Sequence, residues 1–306
     1  MDPIEAINFS TDSTWQLMLE AVTRGEVYYF TPIDLFWRNG ELLARTQQVT
    51  ISNNKYQLGS LKITNLEEMD VIFIRQDPPY DMNYLTTTYL LEKLPAKTLL
   101  VNSPKAIRDF PEKISILDYP SLIPPTLITS CPSEAKSFAK NYSRIILKPL
   151  YSFAGNDIFC TSYSDPNFTN IADSLLSTHK APFIAQEFIP EVKFGDKRII
   201  IVDGNPIGAF TRIPEENSIK SNIACGGTSH PTELNERDLQ ICQTISPKLK
   251  EHGLFFVGID VIDKYLTEIN VTSPTGIVPI QRFQKSKVTD YIFNAIENKR
   301  LTIPAK

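Results

Sequence analysis

Three oxygen-bearing side chains near the carboxyl end of the chain have the types and spacing of a divalent-cation site. Asp260 lies in one apolar, β-branched run, and Glu268 and Asn270 lie in the next. The polar pair Asp263-Lys264 separates the two runs, which predicts a β-hairpin. Because side chains alternate between the faces of a strand, Glu268 and Asn270 face the same way. A neighbouring carboxylate and amide supply the hard oxygen ligands that Mg²⁺ prefers, and Mg²⁺ usually shares its coordination with nucleotide phosphates.

The length of the turn decides whether Asp260 joins the other two side chains. A three-residue turn, Asp263 to Tyr265, places Asp260 opposite Glu268, whereas a two-residue turn places it on the other face. We predict the three-residue turn. Two carboxylates opposite each other repel unless a positive group lies between them, and a hard divalent cation is the natural occupant. A solvated hairpin edge with ordinary surface acids is the alternative that spacing alone leaves open.

Several cationic residues follow or end apolar strand patterns, where they could contact phosphate or carboxylate groups. Arg75 follows the run 71–74 and could bind a substrate carboxylate through two hydrogen bonds. Lys148 ends another apolar run and precedes a loop, 151–157, whose backbone amides could contact a triphosphate. Arg212 lies on the second strand of a predicted hairpin and could stabilise charge on a transferring phosphoryl group. Each of the three is also compatible with an ordinary solvent-exposed cation.

The most specific motif is the run TEINVTSPTG, Thr267 to Gly276, together with the preceding Gly258-Ile259-Asp260. These segments resemble the metal-binding end of the ATP-grasp ligases, in particular the bacterial type of glutathione synthetase. A second motif, RQDPPYD from Arg75 to Asp81, is also similar to a segment of those enzymes. With the residues named below, the resemblance extends over nearly the whole chain.

The resemblance implies a role for each candidate residue, with ATP and Mg²⁺, or alternatively Mn²⁺, as cofactors. The implied metal ligands are Asp260, Glu268 and Asn270, and the implied catalytic residue is Arg212. The residues implied to bind the nucleotide are Lys113, Lys148, Gly155, Gln186, Glu187, Phe188, Ile189, Asp196, Arg198 and Asn222. Within that set, Gln186 to Ile189 would offer their backbone to the adenine base. The residues implied to bind the substrate are Arg75, Gly226, Gly227, Ser273, Pro274 and Thr275.

The resemblance also implies a reaction, the ATP-dependent joining of γ-glutamylcysteine and glycine to glutathione through an acyl phosphate, with release of ADP and phosphate. Three alternatives stay open. A related ATP-grasp ligase could join another acid and amine, because the segments 228–230 and 278–279 depart from the family. A catalytically weakened nucleotide-binding homologue is suggested by the loop 151–157, where Gly155 is the only glycine. A kinase that phosphorylates the carboxylate without joining it is the third.

The resemblance and the order of strand and helix patterns predict an α/β (α+β) protein with the ATP-grasp fold and an N-terminal Rossmann-like, pre-ATP-grasp domain. We expect three parts: an N-terminal substrate domain at 1–115, an ATP-grasp small subdomain or lid at 116–190, and a C-terminal ATP-grasp subdomain with the metal site at 191–306. The helical pattern 13–21 has almost no room for a preceding strand, which a parallel sheet requires. Either the native chain begins upstream of Met1 or the sheet has lost a strand, and we expect the first.

Composition argues against several other classes of protein. With 31 Lys and Arg against 35 Asp and Glu, and no long run of one sign, nothing indicates nucleic-acid binding. The four cysteines form no C-x-x-C pair, and with only three histidines neither a zinc site nor a disulfide framework is suggested. The N-terminus lacks signal-peptide features, and no apolar run reaches the ~20 residues of a membrane helix. We expect a cytoplasmic enzyme of small-molecule substrates, and the resemblance implies a homo-oligomer, commonly a tetramer.

Overall fold

The computed structural model describes residues 1–152, 155–216, 218 and 226–303. Its strands are β1 Val27–Tyr29, β2 Leu35–Arg38, β3 Glu41–Ser52, β4 Lys55–Leu58, β5 Lys62–Asn65, β6 Val71–Phe73, β7 Leu99–Val101, β8 Thr126–Thr129, β9 Ile145–Pro149, β10 Phe159–Thr161, β11 Phe183–Glu187, β12 Asp196–Val202, β13 Asn205–Ile213, β14 Thr228–Pro231, β15 Phe256–Ile262 and β16 Tyr265–Asn270. Its α-helices are α1 Ser13–Arg24, α2 Met82–Leu91, α3 Pro104–Asp109, α4 Pro132–Ala139, α5 Phe168–His179, α6 Glu236–Glu251, α7 Ile277–Gln284 and α8 Val288–Leu301. In these ranges, no helix has both the length and the apolar character that crossing a membrane would require.

The first sheet is antiparallel and is built on one long strand, β3. The strands β1, β2, β4 and β5 all pair with it. Tight turns join β2 to β3 and β3 to β4, and their residues Asn39, Gly40, Asn53 and Asn54 have φ angles of 53°, 94°, 51° and 57°. Two-residue hairpin turns require such left-handed conformations, which Asn and Gly adopt most readily. The sequence analysis did not predict these hairpins.

Parallel pairing, the mark of a Rossmann-like unit, is limited in the described residues to β6 and β7. The neighbouring strand β5 pairs antiparallel with β3. Helix α1 packs through Leu17 into an apolar cluster that also contains Val101 of β7 and Phe256 of β15. The predicted α/β class is confirmed, with mostly antiparallel strands in the N-terminal part.

A four-stranded antiparallel sheet with the order β10-β9-β11-β8 follows, called here the small sheet. On β9, Ile145 and Leu147 pack into the cluster formed with helices α4 and α5. Because side chains alternate along a strand, Ile146 and Lys148 face the opposite side, where they line a cavity. The alternation therefore turns one apolar and one cationic side chain towards the site.

The five-stranded antiparallel large sheet has the order β14-β13-β12-β15-β16 and is covered on both faces. On β12, Ile199 and Ile201 pack in the cluster that contains α6, whereas Ile200 and Val202 pack against α7 and α8. This two-sided burial explains the nearly continuous apolar runs of β12 and β15.

A buried asparagine joins the parallel strands β6 and β7 to the large sheet through hydrogen bonds. Asn102, which follows β7, donates from Nδ2 to the carbonyl oxygens of Phe256 at 2.7 Å and Val271 at 2.8 Å. Its Oδ1 accepts from the amide of Phe256 at 2.6 Å. The amide is thus paired at both ends, as buried polar groups usually are, and it fixes the end of β7 beside β15 and the segment that follows β16.

Candidate active site

A cavity of about 470 Å³ is lined by residues from both the small and the large sheet. Most of the predicted site residues lie in its wall: Lys113, Lys148, Gly155, Gln186, Glu187, Phe188, Ile189, Asp196, Arg198, Arg212, Asp260, Glu268, Asn270, Ser273, Pro274 and Thr275. Arg75, Gly226 and Gly227 are not among the wall residues. The predicted residue Asn222 lies outside the described part of the chain. The folding of the chain therefore brings together residues that are more than 150 positions apart in sequence.

The hairpin of β15 and β16 places Asp260 opposite Glu268, as predicted, but the predicted three-residue turn is wrong. Ile262 pairs with Tyr265, so the turn consists of two residues, Asp263 and Lys264. The register then shifts between the pairs of Val261 and Asp260. Such a β-bulge puts one extra residue into one strand, and it returns Asp260 and Glu268 to the same face.

Four charged side chains on three neighbouring strands form a buried ion network. Arg198 lies opposite Asp260 in the sheet, and Asp196 lies opposite Arg212. Arg198 donates to both oxygens of Asp260, from Nε at 2.5 Å and from Nη2 at 2.9 Å. Arg212 donates to both oxygens of Asp196 at 2.6 and 2.7 Å. Its Nη2 also lies 3.0 Å from Asp260 Oδ1, so Arg212 connects the two carboxylates.

Opposite charge outweighs burial in this network. Burial alone would raise the pKa of Asp260, but Arg198 and Arg212 hold that pKa well below its ordinary value. Burial likewise would lower the pKa of Arg212, but Asp260 and Asp196 raise it above the ordinary value. The positive groups that contact Asp260 are therefore two guanidinium groups, where the sequence analysis had expected a divalent cation.

Two lysines bring positive charge to the same cavity. Lys113 donates from Nζ to the carbonyl oxygen of Ser152 at 2.6 Å and lies 3.8 Å from Glu268 Oε1. Lys148 is buried, and burial lowers its pKa while Glu268 opposes that shift. A desolvated ammonium group gains most from an anionic ligand, because such a ligand replaces the lost hydration.

Apolar side chains also line the cavity, together with the segment 186–189. Those on the small sheet and the segments next to it include Ile146, Ile158 and Val192. The amides of Glu187 and Phe188 donate to the carbonyls of Pro125 at 3.0 Å and Arg144 at 3.1 Å. These two amides are therefore already hydrogen-bonded to the segments that lead into β8 and β9 of the small sheet. The amide of Ile189 donates to no acceptor among the residues that the structure describes.

The oxygen atoms that the β15–β16 hairpin offers are of the type that a hard cation such as Mg²⁺ prefers. Glu268, Asn270 and Asp260 offer only oxygen, and Asn270 donates from Nδ2 to Asp260 at 3.3 Å, which leaves its Oδ1 as the ligand atom. In the described ranges, no three His, Cys, Asp or Glu side chains converge closely enough to hold a metal ion. Six carboxylates and four cationic side chains line the cavity. This excess of acidic groups means that a polyphosphate would need an accompanying cation.

Two cavity carboxylates were missed by the sequence analysis. Glu112 accepts a hydrogen bond from the hydroxyl of Thr272 at 3.0 Å. Asp77 is hydrogen-bonded to Ser273, and burial raises its pKa. A signal was available for each, because Asp77 belongs to the RQDPPYD motif and Glu112 directly precedes Lys113.

Arg75 is buried and is not among the residues of the cavity wall, so its predicted contact with a substrate carboxylate stays a prediction. Its Nε donates to Thr14 Oγ1 at 3.0 Å, and its Nη1 donates to the carbonyl of Pro274 at 2.9 Å. Burial lowers its pKa. Gly226 lies beside the side chain of Glu215, and its predicted contact with the substrate stays a prediction. The contacts of Arg75 therefore position the segment 273–275, which does line the cavity.

Two family models match the chain. The model described as the prokaryotic glutathione synthetase N-terminal domain matches residues 1–108, and that described as the prokaryotic glutathione synthetase ATP-grasp domain matches residues 112–285. Among curated proteins, the glutathione synthetase of Brucella melitensis is 45% identical over 98% of this chain and 97% of its own length. That of Vibrio vulnificus strain YJ016 is 40% identical over 98% of this chain and 96% of its own length.

Solved structures agree at the level of fold. The ATP-grasp ligase PsnB, complexed with its minimal precursor, superimposes with a TM-score of 0.63 at 16% identity and covers 94% of this chain and 95% of its own. D-alanyl-alanine synthetase A from Vibrio cholerae has a TM-score of 0.55 at 14% identity, over 91% of this chain and 84% of its own. With the two family models, these similarities confirm the predicted ATP-grasp fold and its N-terminal domain.

Proposed function

The chain belongs to the prokaryotic glutathione synthetase family, and from this premise we propose that it joins γ-glutamylcysteine to glycine at the expense of ATP. The products are glutathione, ADP and phosphate. The observation that carries the proposal is the cavity lined by both sheets, where buried cations, a hairpin with oxygen donors and apolar side chains converge. The near-complete coverage of both this chain and its relatives supports the activity of the whole enzyme.

ATP is the phosphoryl donor, and the cavity offers groups for each of its parts. The segment 186–189, with the apolar side chains Ile146, Ile158 and Val192, takes the adenine base. The ammonium groups of Lys113 and Lys148 neutralise phosphate charge, and Gly155 lies in the same wall. The support for these roles is geometric: both lysines are buried beside Glu268, and burial lowers the pKa of Lys148 in a way that an anion would reverse.

Glu268 and Asn270, with Asp260, are the residues that would hold Mg²⁺, or Mn²⁺ in its place. When bound, such an ion neutralises phosphate oxygens during phosphoryl transfer. Asp260 is held by two arginines, so it would exchange one of these contacts to act as a ligand. Among the described residues, Glu268 forms only the long ion pair with Lys113, and its side chain is more exposed than that of Asp260.

The chemistry needs positioning and charge stabilisation rather than a protein nucleophile. A carboxylate oxygen of γ-glutamylcysteine attacks the γ-phosphorus, the bond to the bridging oxygen breaks, and ADP leaves with the electron pair. The amine nitrogen of glycine then attacks the acyl carbon, and phosphate leaves. Arg212, fixed by Asp196 and Asp260, stabilises the charge on the transferring phosphoryl group. The segment 273–275, held by Arg75 and Arg198, contacts the acid substrate.

The division into parts at 1–115, 116–190 and 191–306 is also our proposal. It is supported by the sheets, since the small sheet spans Thr126 to Glu187 and the large sheet begins at Asp196. A homotetrameric assembly and a cytoplasmic location are proposed from the family alone.

The test is the dependence of ADP release on each substrate. The purified chain with Mg²⁺ and ATP should release ADP when both γ-glutamylcysteine and glycine are present, and mass spectrometry should find the tripeptide. ADP release that needs the acid but not glycine would indicate a carboxylate kinase. ADP release only with a different acid and amine pair would reassign the substrates.

A further inference from the structure

The segment 273–275, which lines the active-site cavity, lies between strand β16 and helix α7 and belongs to neither. Because no ladder or helical turn pairs its backbone groups, side chains from other parts of the chain must do so. The carbonyls of Pro274 and Thr275 accept from Arg75 and Arg198. The position of this part of the cavity wall therefore depends on residues that are distant in sequence.

Ser13, in the first turn of helix α1, caps the start of helix α7. Its Oγ accepts from the amides of Gly276 at 3.0 Å and Ile277 at 3.2 Å. The first amides of a helix have no partner within that helix, and Gly276 has no side chain that could accept from them. Ser13 is available for this contact because Asp12 caps α1 itself, accepting from the amide of Trp15 at 2.9 Å.

The neighbouring residue, Thr14, acts on the same stretch through Arg75. Thr14 Oγ1 accepts from Nε of Arg75 at 3.0 Å, and Nη1 of Arg75 donates to the carbonyl of Pro274 at 2.9 Å. Because Ser13, Thr14 and Arg75 are all buried, water does not replace a lost contact. Two adjacent residues of α1 therefore hold the stretch 274–277, Ser13 directly and Thr14 through an arginine.

We propose that Ser13 and Thr14 are positioning residues for the acid substrate, through which helix α1 fixes the segment 273–275. This inference rests on the proposed function, in which that segment contacts γ-glutamylcysteine. Neither residue is in the cavity wall, so each acts through the backbone that it holds. The segment proposed to take the adenine base, 186–189, begins on β11 of the small sheet instead. Loss of either hydroxyl should therefore affect the acid and not ATP.

The first test is Ser13→Ala, which leaves two buried amides without their acceptor. A shift of about 1 Å in a group that positions a substrate can cost about 100-fold in rate, and we expect KM for γ-glutamylcysteine to rise about tenfold or more. KM for ATP should stay unchanged. Because KM does not depend on the amount of folded enzyme, a variant that is merely less stable would show a lower apparent kcat and keep both KM values.

Ser246→Ala is the matched control. The hydroxyl of Ser246, on α6, also contacts two backbone groups, the carbonyls of Gly204 at 2.5 Å and Cys242 at 2.6 Å. Ser246 is not in the cavity wall, so both KM values of this variant should equal those of the wild type.

A pair of substitutions at Thr14 tests the second contact. Thr14→Val removes the hydroxyl that Arg75 contacts and keeps the branched shape, whereas Thr14→Ser keeps the hydroxyl. Thr14→Val should raise KM for γ-glutamylcysteine several-fold, and Thr14→Ser should resemble the wild type.

The proposal is overturned if Ser13→Ala, folded as judged by circular dichroism, leaves KM for γ-glutamylcysteine unchanged or raises KM for ATP equally. A rise of the same size in Ser246→Ala would also overturn it. If Ser13→Ala does not fold, the Thr14 pair decides, and equal KM values for the acid in Thr14→Val and Thr14→Ser would refute the proposal. A wild-type chain that releases no ADP with any acid and amine would instead overturn the proposed function, so the two failures are distinguishable.

Discussion

Replacing Asp260 by Asn should destabilise the large sheet, because the change leaves buried arginines without their counter-charge. Asn keeps the size of the side chain but removes its charge. Arg212 would retain Asp196, whereas Arg198 would retain only the carbonyl of Thr275 at 3.2 Å. Removing one partner of a buried ion pair costs about 3–5 kcal/mol. Since one arginine stays paired, we expect the free energy of local unfolding of the large sheet to fall by about 3 kcal/mol.

Two further variants separate charge from other effects. Asp263→Asn is the matched control, because Asp263 is exposed in the turn of the same hairpin and its φ of 55° is one that Asn accepts. The double variant Asp260→Asn/Arg198→Met removes the uncompensated guanidinium as well. It should therefore recover part of the stability lost in Asp260→Asn.

Hydrogen exchange measured by mass spectrometry is the suitable assay, because it reports on β12 and β15 separately from the rest of the molecule. A loss of about 3 kcal/mol corresponds to exchange that is roughly 150-fold faster in these strands. Exchange in Asp260→Asn within fivefold of that in Asp263→Asn would refute the reasoning. It would mean that the network does not stabilise the sheet.

Three further predictions follow from the site. Because the pKa of Asp260 is depressed below 3.8 in the folded state, the stability that its ion pairs contribute is fully present above pH 5 and declines only as the pH falls below about 4; urea unfolding of the wild type and Asp260→Asn at pH 7 and pH 3 should show the difference shrinking. Lys148→Met should weaken binding of a non-hydrolysable ATP analogue about tenfold or more, whereas the exposed Lys93→Met should not, as isothermal titration calorimetry can measure. Glu268→Gln should lower Mn²⁺ affinity roughly tenfold or more in the presence of that analogue, as measured by electron paramagnetic resonance, and an unchanged affinity would remove Glu268 from the ligand set.

The central hairpin shows how far sequence could predict the site. Alternation along the strand correctly placed Glu268 beside Asn270, and Asp260 does lie opposite Glu268. The predicted three-residue turn was wrong. A two-residue turn alone would place Asp260 and Glu268 on opposite faces of the hairpin, and the bulge reverses that effect, so the two side chains share a face. A bulge has no clear signature in a run such as YLTEIN. The pairing of Asp260 with Glu268 was therefore predictable only from the expectation that the two carboxylates share a cation.

The contacts of the charged groups were beyond sequence analysis for a different reason. Arg198 and Arg212 were both named, but their pairing with Asp260 depends on the register of three strands that are separated along the chain. The same holds for Arg75, whose contacts with Thr14 and Pro274 join distant segments. Sequence could identify these residues by type, whereas their partners depend on tertiary packing.

The N-terminal hairpins were missed although their signals were local. Asn39-Gly40 is a strong two-residue turn signal, and it lies between two strand-like segments. A parallel, Rossmann-like sheet was predicted from runs such as 71–74, whereas β3, which does not alternate cleanly between buried and exposed residues, was not predicted. In the described residues, parallel pairing involves only β6 and β7.

The most direct test of the account is to follow oxygen from the acid substrate. γ-Glutamylcysteine labelled with ¹⁸O in its cysteinyl carboxylate should be incubated with the protein, Mg²⁺, ATP and glycine, and the released phosphate analysed by mass spectrometry. An acyl phosphate intermediate transfers one labelled oxygen to phosphate and leaves the other in the new amide, which is the result we predict. Unlabelled phosphate would show that water, and not the substrate carboxylate, attacks ATP, and it would contradict the assignment of this cavity as a ligase site.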